Sequence, residues 1–390
     1  MMKSRNLLSA VVAASLCAAG LFAVSSCKVH EWPNPTTPAD LKLDFVFSTD
    51  LPPFMEVNYD PTKVSASPED YDFRYQVKFY RQLPDGKFDT KEASEYNLTL
   101  TKDDVTTLDY STVVSLPEGR WLIRCWADYV AQGSDEDIFY KTSNFKAIEL
   151  SENHYGNSDF KDAFLGTAEV ELVRLGSKEE PVSAVLEMER PLAKFQFIAT
   201  DLDELVTKVM KSKMTSEEFT KYMEEKRKAE DMSKAPQKGS VTVASPAELP
   251  ASSPQYAPWD PTKAPGFNPS DYYIRFYYTQ FMPFMFNMFT NKPIDSRTGV
   301  YFDSEFVPLN ASEALMGFDY VLVNGHESSV YVSVGLFDYE SEEPLSMTNP
   351  INVPIVRSKL TTVRGDFLTI GTGGGIGINP DFEDEFNIYF

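Results

Sequence analysis

Apolar and polar residues alternate with period two through most of the chain. Leu41, Leu43, Phe45 and Phe47 interleave with Lys42, Asp44 and Val46, and Tyr75, Val77 and Phe79 with Arg74, Gln76 and Lys78. In RWLIRCWADYV, Trp121, Ile123, Cys125, Ala127 and Tyr129 share one face. Successive strand side chains point to opposite faces, so these runs predict half-buried antiparallel strands. Pro84-Asp85-Gly86 and Pro117-Glu118-Gly119 are turn signals between them, the second feeding the strand from Arg120. AEVELV (168–173) and SAVLEME (183–189) add two strands around Gly176. PLAKFQFIATDL opens another, with Phe195 and Phe197 on one face. Ile274, Phe276 and Tyr278 alternate, as do Phe318, Tyr320 and Leu322, and then Val330, Val332, Val334 and Leu336. Asn324-Gly325 between the last two runs predicts a hairpin. PINVPIVRSKLTTVRGDFLT supplies two more strands, and a glycine-rich loop leads to a short strand at 386–390. No periodic repeat is visible, although the two halves have similar strand content.

One region departs from this pattern. Leu202, Leu205, Val206 and Val209 recur at helical spacing. Thr215-Ser216-Glu217-Glu218 reads as a capping box, with Phe219, Tyr222 and Met223 on one face behind it. The charge run at 224–231 reads as a solvated helix end, and 233–270, rich in Pro, Ser and Ala, as a long loop. The expected architecture is mainly β: an N-terminal β-sandwich domain over 41–189, a boundary at Glu189-Arg190-Pro191, and a C-terminal β-sandwich domain over 190–390. The second domain carries the helix and Pro-rich loop at about 202–270 as an insertion.

The first residues belong to neither domain. Lys3 and Arg5 precede an apolar run over 7–24, the layout of a secretory signal peptide at 1–26. Val24-Ser25-Ser26-Cys27 follows the lipobox pattern, a branched apolar residue, two small ones and a cysteine that accepts diacylglycerol. Cys27 is therefore the expected lipidation site. Lipid there would anchor the chain to a membrane without spanning it. The proline-rich stretch at 27–40 reads as an extended tether.

Composition narrows the chemistry. Net charge is −22, and −24 once Lys3 and Arg5 leave with the signal, so nucleic acid is not an expected partner. Of three cysteines, Cys17 leaves with the signal and Cys27 is acylated, so Cys125 has no disulfide partner and reads as a buried small hydrophobe. His30, His154 and His326 lack zinc spacing. The run 371–377 lacks the Lys-Ser/Thr of a phosphate loop, and the acidic runs 134–137 and 381–385 lack EF-hand spacing. No metal, cofactor or catalytic residue is expected. FYYTQFMPFMFNMF (276–289) is either a core strand and bend or an exposed adhesive surface.

Taken together, the tether CKVHEWP, the segments MERPLAKFQFIATDL, FDYVLVNGHESSVYVSVGLFD and VPIVRSKLTTVRGDFLT, and the ending GGGIGINPDFEDEFNIYF resemble fimbrillin-like lipoproteins of the Bacteroidota. Within these, the resemblance is to an uncharacterised domain family related to type V pilus subunits and fimbrial anchor proteins. It implies two tandem transthyretin-like or Ig-like β-sandwiches, export as an outer-membrane lipoprotein facing the cell surface, and partnership with fimbrial subunits by strand exchange. The tail Phe386, Ile388 and Phe390 could then serve as a donated strand or close its own sheet. Polymerising members lose an N-terminal segment to an arginine-specific protease. Here no arginine lies between Cys27 and Arg74, which favours an anchor or accessory subunit. The alternative is a glycan- or host-ligand-binding surface lipoprotein using aromatics such as Trp259, Tyr272 or Tyr273. A secreted hydrolase is the third class.

Overall fold

The computed structural model of the chain describes residues 38–47, 68–90, 96–103, 105, 107–152, 155–173, 181–234, 264, 266–305, 307–341, 343–371 and 386–389. The signal segment, Cys27, most of the tether, His154, Trp259, the glycine run beyond Gly371, the acidic run 381–385 and Phe390 lie outside the described residues.

Nine strands precede residue 190: β1 (Pro38–Phe47), β2 (Tyr71–Arg81), β3 (Tyr96–Lys102), β4 (Tyr110–Pro117), β5 (Gly119–Ala131), β6 (Tyr140–Lys141), β7 (Ile148–Leu150), β8 (Ala163–Leu172) and β9 (Val182–Met188). Seven of them form two facing sheets, ordered β4-β1-β9 and β3-β2-β5-β8. Leu41, Leu43 and Phe45 point into the gap between the sheets, with the Phe45 ring 4.8 Å from Tyr75 and the Phe47 ring 5.0 Å from Phe164. The alternation read from β1 is therefore its burial pattern. The expected antiparallel pairing holds only on one side: β1 runs antiparallel to β4 but parallel to β9, a strand about 140 residues away, which takes a long connection rather than a turn.

The remaining strands are β10 (Leu192–Ala199), β11 (Tyr272–Tyr278), β12 (Met282–Asn287), β13 (Lys292–Arg297), β14 (Tyr301–Ser304), β15 (Val307–Pro308), β16 (Ala314–Leu322), β17 (Glu327–Asp338), β18 (Ser346–Met347), β19 (Ile351–Val356), β20 (Leu360–Gly365) and β21 (Phe386–Tyr389). One sheet is ordered β15-β16-β10-β20-β21, the other β14-β11-β17-β18, with β19 also paired to β17. The pairings repeat those of the first half. β10 lies between an antiparallel β16 and a parallel β20, as β1 lies between β4 and β9. The run β14-β11-β17-β19 mirrors β3-β2-β5-β8. The chain thus contains a topological repeat that its sequence does not display.

Two expectations are corrected. Asn324-Gly325 makes a turn, with Gly325 at φ +83°, but no hairpin. β16 pairs with β10 and β15, and β17 with β11, β18 and β19, so the turn carries the chain from one sheet to the other. A local turn signal bends the chain, whereas the choice of partner strand follows from which faces can be buried. Second, β5 is buried on both faces, not one: Cys125 and Trp126 are both fully enclosed. The cover on its outer side is a small sheet ordered β13-β12-β7-β6, built from both halves of the chain. Trp126 packs its ring edge-on against Tyr140 at 5.3 Å and meets Phe286 at 6.3 Å.

After β10 come α1 (Leu202–Lys213) and α2 (Ser216–Lys234). α1 buries Leu202, Leu205, Val206 and Met210, and puts Asp203 and Glu204 in its first turn and Lys211 and Lys213 in its last, matching the helix dipole. The capping box is formed at α2: the Thr215 N–H donates to Glu218 Oε2 at 2.9 Å, and the Glu218 N–H to Thr215 Oγ1 at 3.4 Å. Thr215→Ala should cost about 1 kcal/mol, read as a lower urea midpoint with an unchanged slope. Within the charge run, Lys226 is an exception to solvation, buried with its amine 2.6 Å from Asp203.

Candidate functional site

Anchoring would act through Cys27, and the nearest described element is β1, which begins at Pro38. Being the middle strand of its sheet, β1 can leave only by breaking two ladders and exposing Leu41, Leu43 and Phe45. The first arginine after Cys27 is Arg74, on β2. Its guanidinium is fully buried, bonded to both oxygens of Asp128 at 2.9 and 2.8 Å and paired with Asp137 at 2.9 Å. It also donates to the Asp135 carbonyl, so the exposed acidic run 134–137 turns one carbonyl and the Asp137 carboxylate toward this cation.

At the other end, β21 adds to β20 in parallel and forms the edge of its own sheet, with Thr361 opposite Phe386 and Val363 opposite Ile388. Of the two uses expected for the tail, this one describes the chain by itself. The aromatic run 276–289 is mainly core: Phe276, Tyr278, Met282, Phe284, Phe286 and Met288 are buried, while Phe281 is 70% exposed. Of the expected stacking platforms, Tyr272 is buried and stacked on Phe267 at 5.7 Å, so it is closed to ligand. Tyr273 faces outward from the same strand.

Cys125 is fully enclosed, and burial pushes its thiol well above the ordinary value, which fits the packing role expected of it. His326 is exposed in its turn. Among the described residues no group of three His, Cys, Asp or Glu side chains could hold a metal.

The most concentrated polar chemistry is a cluster that sequence reading did not find. Asp159, Lys161 and Asp162 sit in and just after a short 3-10 turn. Arg190 forms a two-pronged pair with Asp162 at 2.7 and 2.7 Å, Lys194 meets Asp159 at 2.6 Å, and Lys161 meets Asp319 at 2.6 Å. Tyr320 donates to Asp159 at 2.7 Å, Tyr278 to Asp319 at 2.6 Å and Tyr140 to the Lys161 carbonyl at 2.6 Å. Three cations face three carboxylates, all largely out of water. Burial pulls the Lys161 and Lys194 amines below their ordinary range despite these partners. With each charge matched, the cluster ties residues 159–162 to β10, β11 and β16; it is a structural lock. Its sequence signal was the pair of cations in RPLAKF, set in an otherwise apolar strand.

A groove of about 570 Å³ opens nearby, lined by Glu152, Tyr155, Arg297 and residues 298–303. Gly156 adjoins it at φ +70°, where a Cβ would run into the Phe302 ring. Its N–H donates to Asp319 at 3.0 Å, which joins the groove wall to the buried cluster.

No curated protein matches the sequence. Among solved structures the chain is similar to the fimbrial anchor protein Mfa2 from Porphyromonas gingivalis, at 10% identity and TM-score 0.36, covering 80% of this chain and 81% of that one. It is also similar to a fimbrial assembly protein from Parabacteroides distasonis, at 10% identity and TM-score 0.33, covering 84% and 90%. Likeness at this level carries no argument about function. The match over residues 35–389 is of another order: the chain belongs to the Family of unknown function (DUF6562).

Proposed function

We propose that this protein is a non-enzymatic surface lipoprotein of the outer membrane, held by lipid on Cys27 and acting in adhesion as a fimbrial anchor or accessory subunit. In this reading the sandwiches are transthyretin-like, with domains at 41–189 and 190–390 behind a tether at 27–40. The observation that carries it is the state of β1 and Arg74. The strand that follows the lipidation motif is the buried middle of its sheet, and the first arginine beyond the motif is enclosed by Asp128 and Asp137. A protease specific for arginine finds no accessible site there, so the lipid and β1 stay with the chain. Fimbrial partners would engage by strand exchange at a sheet edge, with Phe386, Ile388 and Phe390 as the candidate tail.

Mechanical shearing of cells tests the proposal, with filaments and outer membranes probed separately for wild type and Cys27→Ala. The expected result is wild-type protein in the membrane fraction, and filaments shed into the medium by Cys27→Ala. Wild-type protein distributed along sheared filaments would make it a polymerising subunit. Protein confined to membranes, with no filaments affected by Cys27→Ala, would overturn the fimbrial role.

A further inference from the structure

The outward side of the sheet holding β11, β14 and β17 carries ordered aromatic rings, Tyr301 exposed and Tyr273 and Tyr277 half-buried, beside the groove described above, and we propose that this surface binds a neutral carbohydrate. The site follows from strand periodicity. Tyr272, Ile274, Phe276 and Tyr278 are buried, so Tyr273, Arg275 and Tyr277 face out. On the adjacent edge strand, Tyr301 stands opposite Tyr277, and Asp303 opposite Arg275.

Arg275 orders this face. Its guanidinium binds both oxygens of Asp303, at 2.5 and 2.8 Å, and lies 4.9 Å from the Tyr301 ring and 5.4 Å from the Tyr273 ring. Tyr301 is held in this way yet remains 54% exposed. A tyrosine fixed before binding offers a flat apolar platform with a wet hydroxyl tip, which matches the C–H face and hydroxyl rim of a pyranose ring. Because the platform is already ordered, binding loses little side-chain freedom.

Charge selects a neutral ligand. Arg297 on the groove wall is paired with Glu149 and Glu152, each at 3.1 Å, just as Arg275 is paired with Asp303. Among the described residues lining the groove, both carboxylates, Glu152 and Asp303, are taken up by these arginines, so neither guanidinium is left to hold an anion and neither carboxylate a cation. What the paired groups still offer is spare lone pairs and N–H bonds, the complement of sugar hydroxyls. The groove is open to solvent along the sheet edge, so a chain of several sugars can run past it.

The inference rests on the surface-lipoprotein reading only for access to the ligand, and its test uses purified protein, so either reading can fail alone. The full chain in detergent is titrated with neutral O-glycans released from gastric mucin and with a β-glucan oligosaccharide. Sialylated O-glycans serve as the charged comparison, and saturation-transfer NMR and calorimetry as the readouts. Saturable binding of a neutral probe is expected, weakened roughly tenfold by Tyr301→Ala and retained by Tyr301→Phe, which keeps the ring. Val185→Ala, at an exposed position on β9, should leave it unchanged. Failure of both neutral probes to bind at millimolar concentration, binding indifferent to Tyr301→Ala, or preference for the sialylated glycans would each overturn the proposal.

Discussion

Arg190→Ala is expected to destabilise the protein by about 3–5 kcal/mol, among the largest effects a single side chain can have here. The guanidinium is enclosed, makes two short bonds to Asp162 and lies 4.8 Å from the Phe164 ring. Truncation removes that packing and leaves the Asp162 carboxylate, itself nearly sealed, with the Ala163 N–H as a remaining donor. The loss measures the cost of a stranded buried charge, not the strength of the ion pair. The double variant Asp162→Leu/Arg190→Met should therefore recover most of the stability, since no charge is left behind. Urea midpoints of the wild type, the single variant and the double variant decide the matter. If Arg190→Ala costs less than about 1 kcal/mol, the cluster is reached by water and is not the lock described here.

Most strands were legible in the sequence, but the alternation matched the burial pattern only where one face is wet. β1 and β11 alternate cleanly because their outward residues are only partly covered, whereas β17 is buried on both faces from Val332 to Phe337. β10 and β16 are buried on both sides, so their alternation is weaker and says nothing about partners. Pairing was the least legible property. β1 beside β9, and β10 beside β20, bring together residues far apart in sequence, and the turn at Asn324-Gly325 suggested a neighbour that β17 does not have. The same holds for the buried cluster. RPLAKF stood out as a motif, but its meaning lay in Asp159 and Asp162, some 30 residues earlier, in a stretch to which no strand or helix had been assigned. The aromatic run 276–289 left core and surface both open, and the structure assigns most of it to core. The outward residues that make a surface, Tyr273, Arg275 and Tyr301, belong together only once β14 is paired with β11.

Raising the pH beyond about 10 should unfold the protein cooperatively, and the buried tyrosines are the cause. Tyr75, Tyr129, Tyr140, Tyr278 and Tyr320 are each at most 5% exposed, and burial pushes every one of these phenols far above the ordinary 10.0. Tyr80 and Tyr222 are pushed up to about 12 for the same reason. In the unfolded chain all of them ionise near 10, while in the folded chain they keep their protons. Their contribution to stability is therefore complete below that value and is lost as pH rises through it. Each fully buried phenol forfeits up to about 1.4 kcal/mol per pH unit, so the five together reach about 7 kcal/mol one unit higher, comparable to the whole stability of a domain. Lys78, Lys161 and Lys194 act in the opposite sense: burial lowers their amines below 10.5, so they favour the folded state as pH approaches that value and add nothing beyond it. Five phenols outweigh three amines once both have passed their unfolded values. The part of the phenolate absorbance that Tyr129→Phe removes should therefore rise together with the loss of the circular dichroism signal of the sheets, not ahead of it. Tyr129→Phe removes one titrating group and should make the fall in urea midpoint above pH 10 shallower. If that Tyr129 phenolate appears while the sheets remain intact, water reaches this hydroxyl in the folded state, and the alkaline limit has to come from elsewhere in the chain.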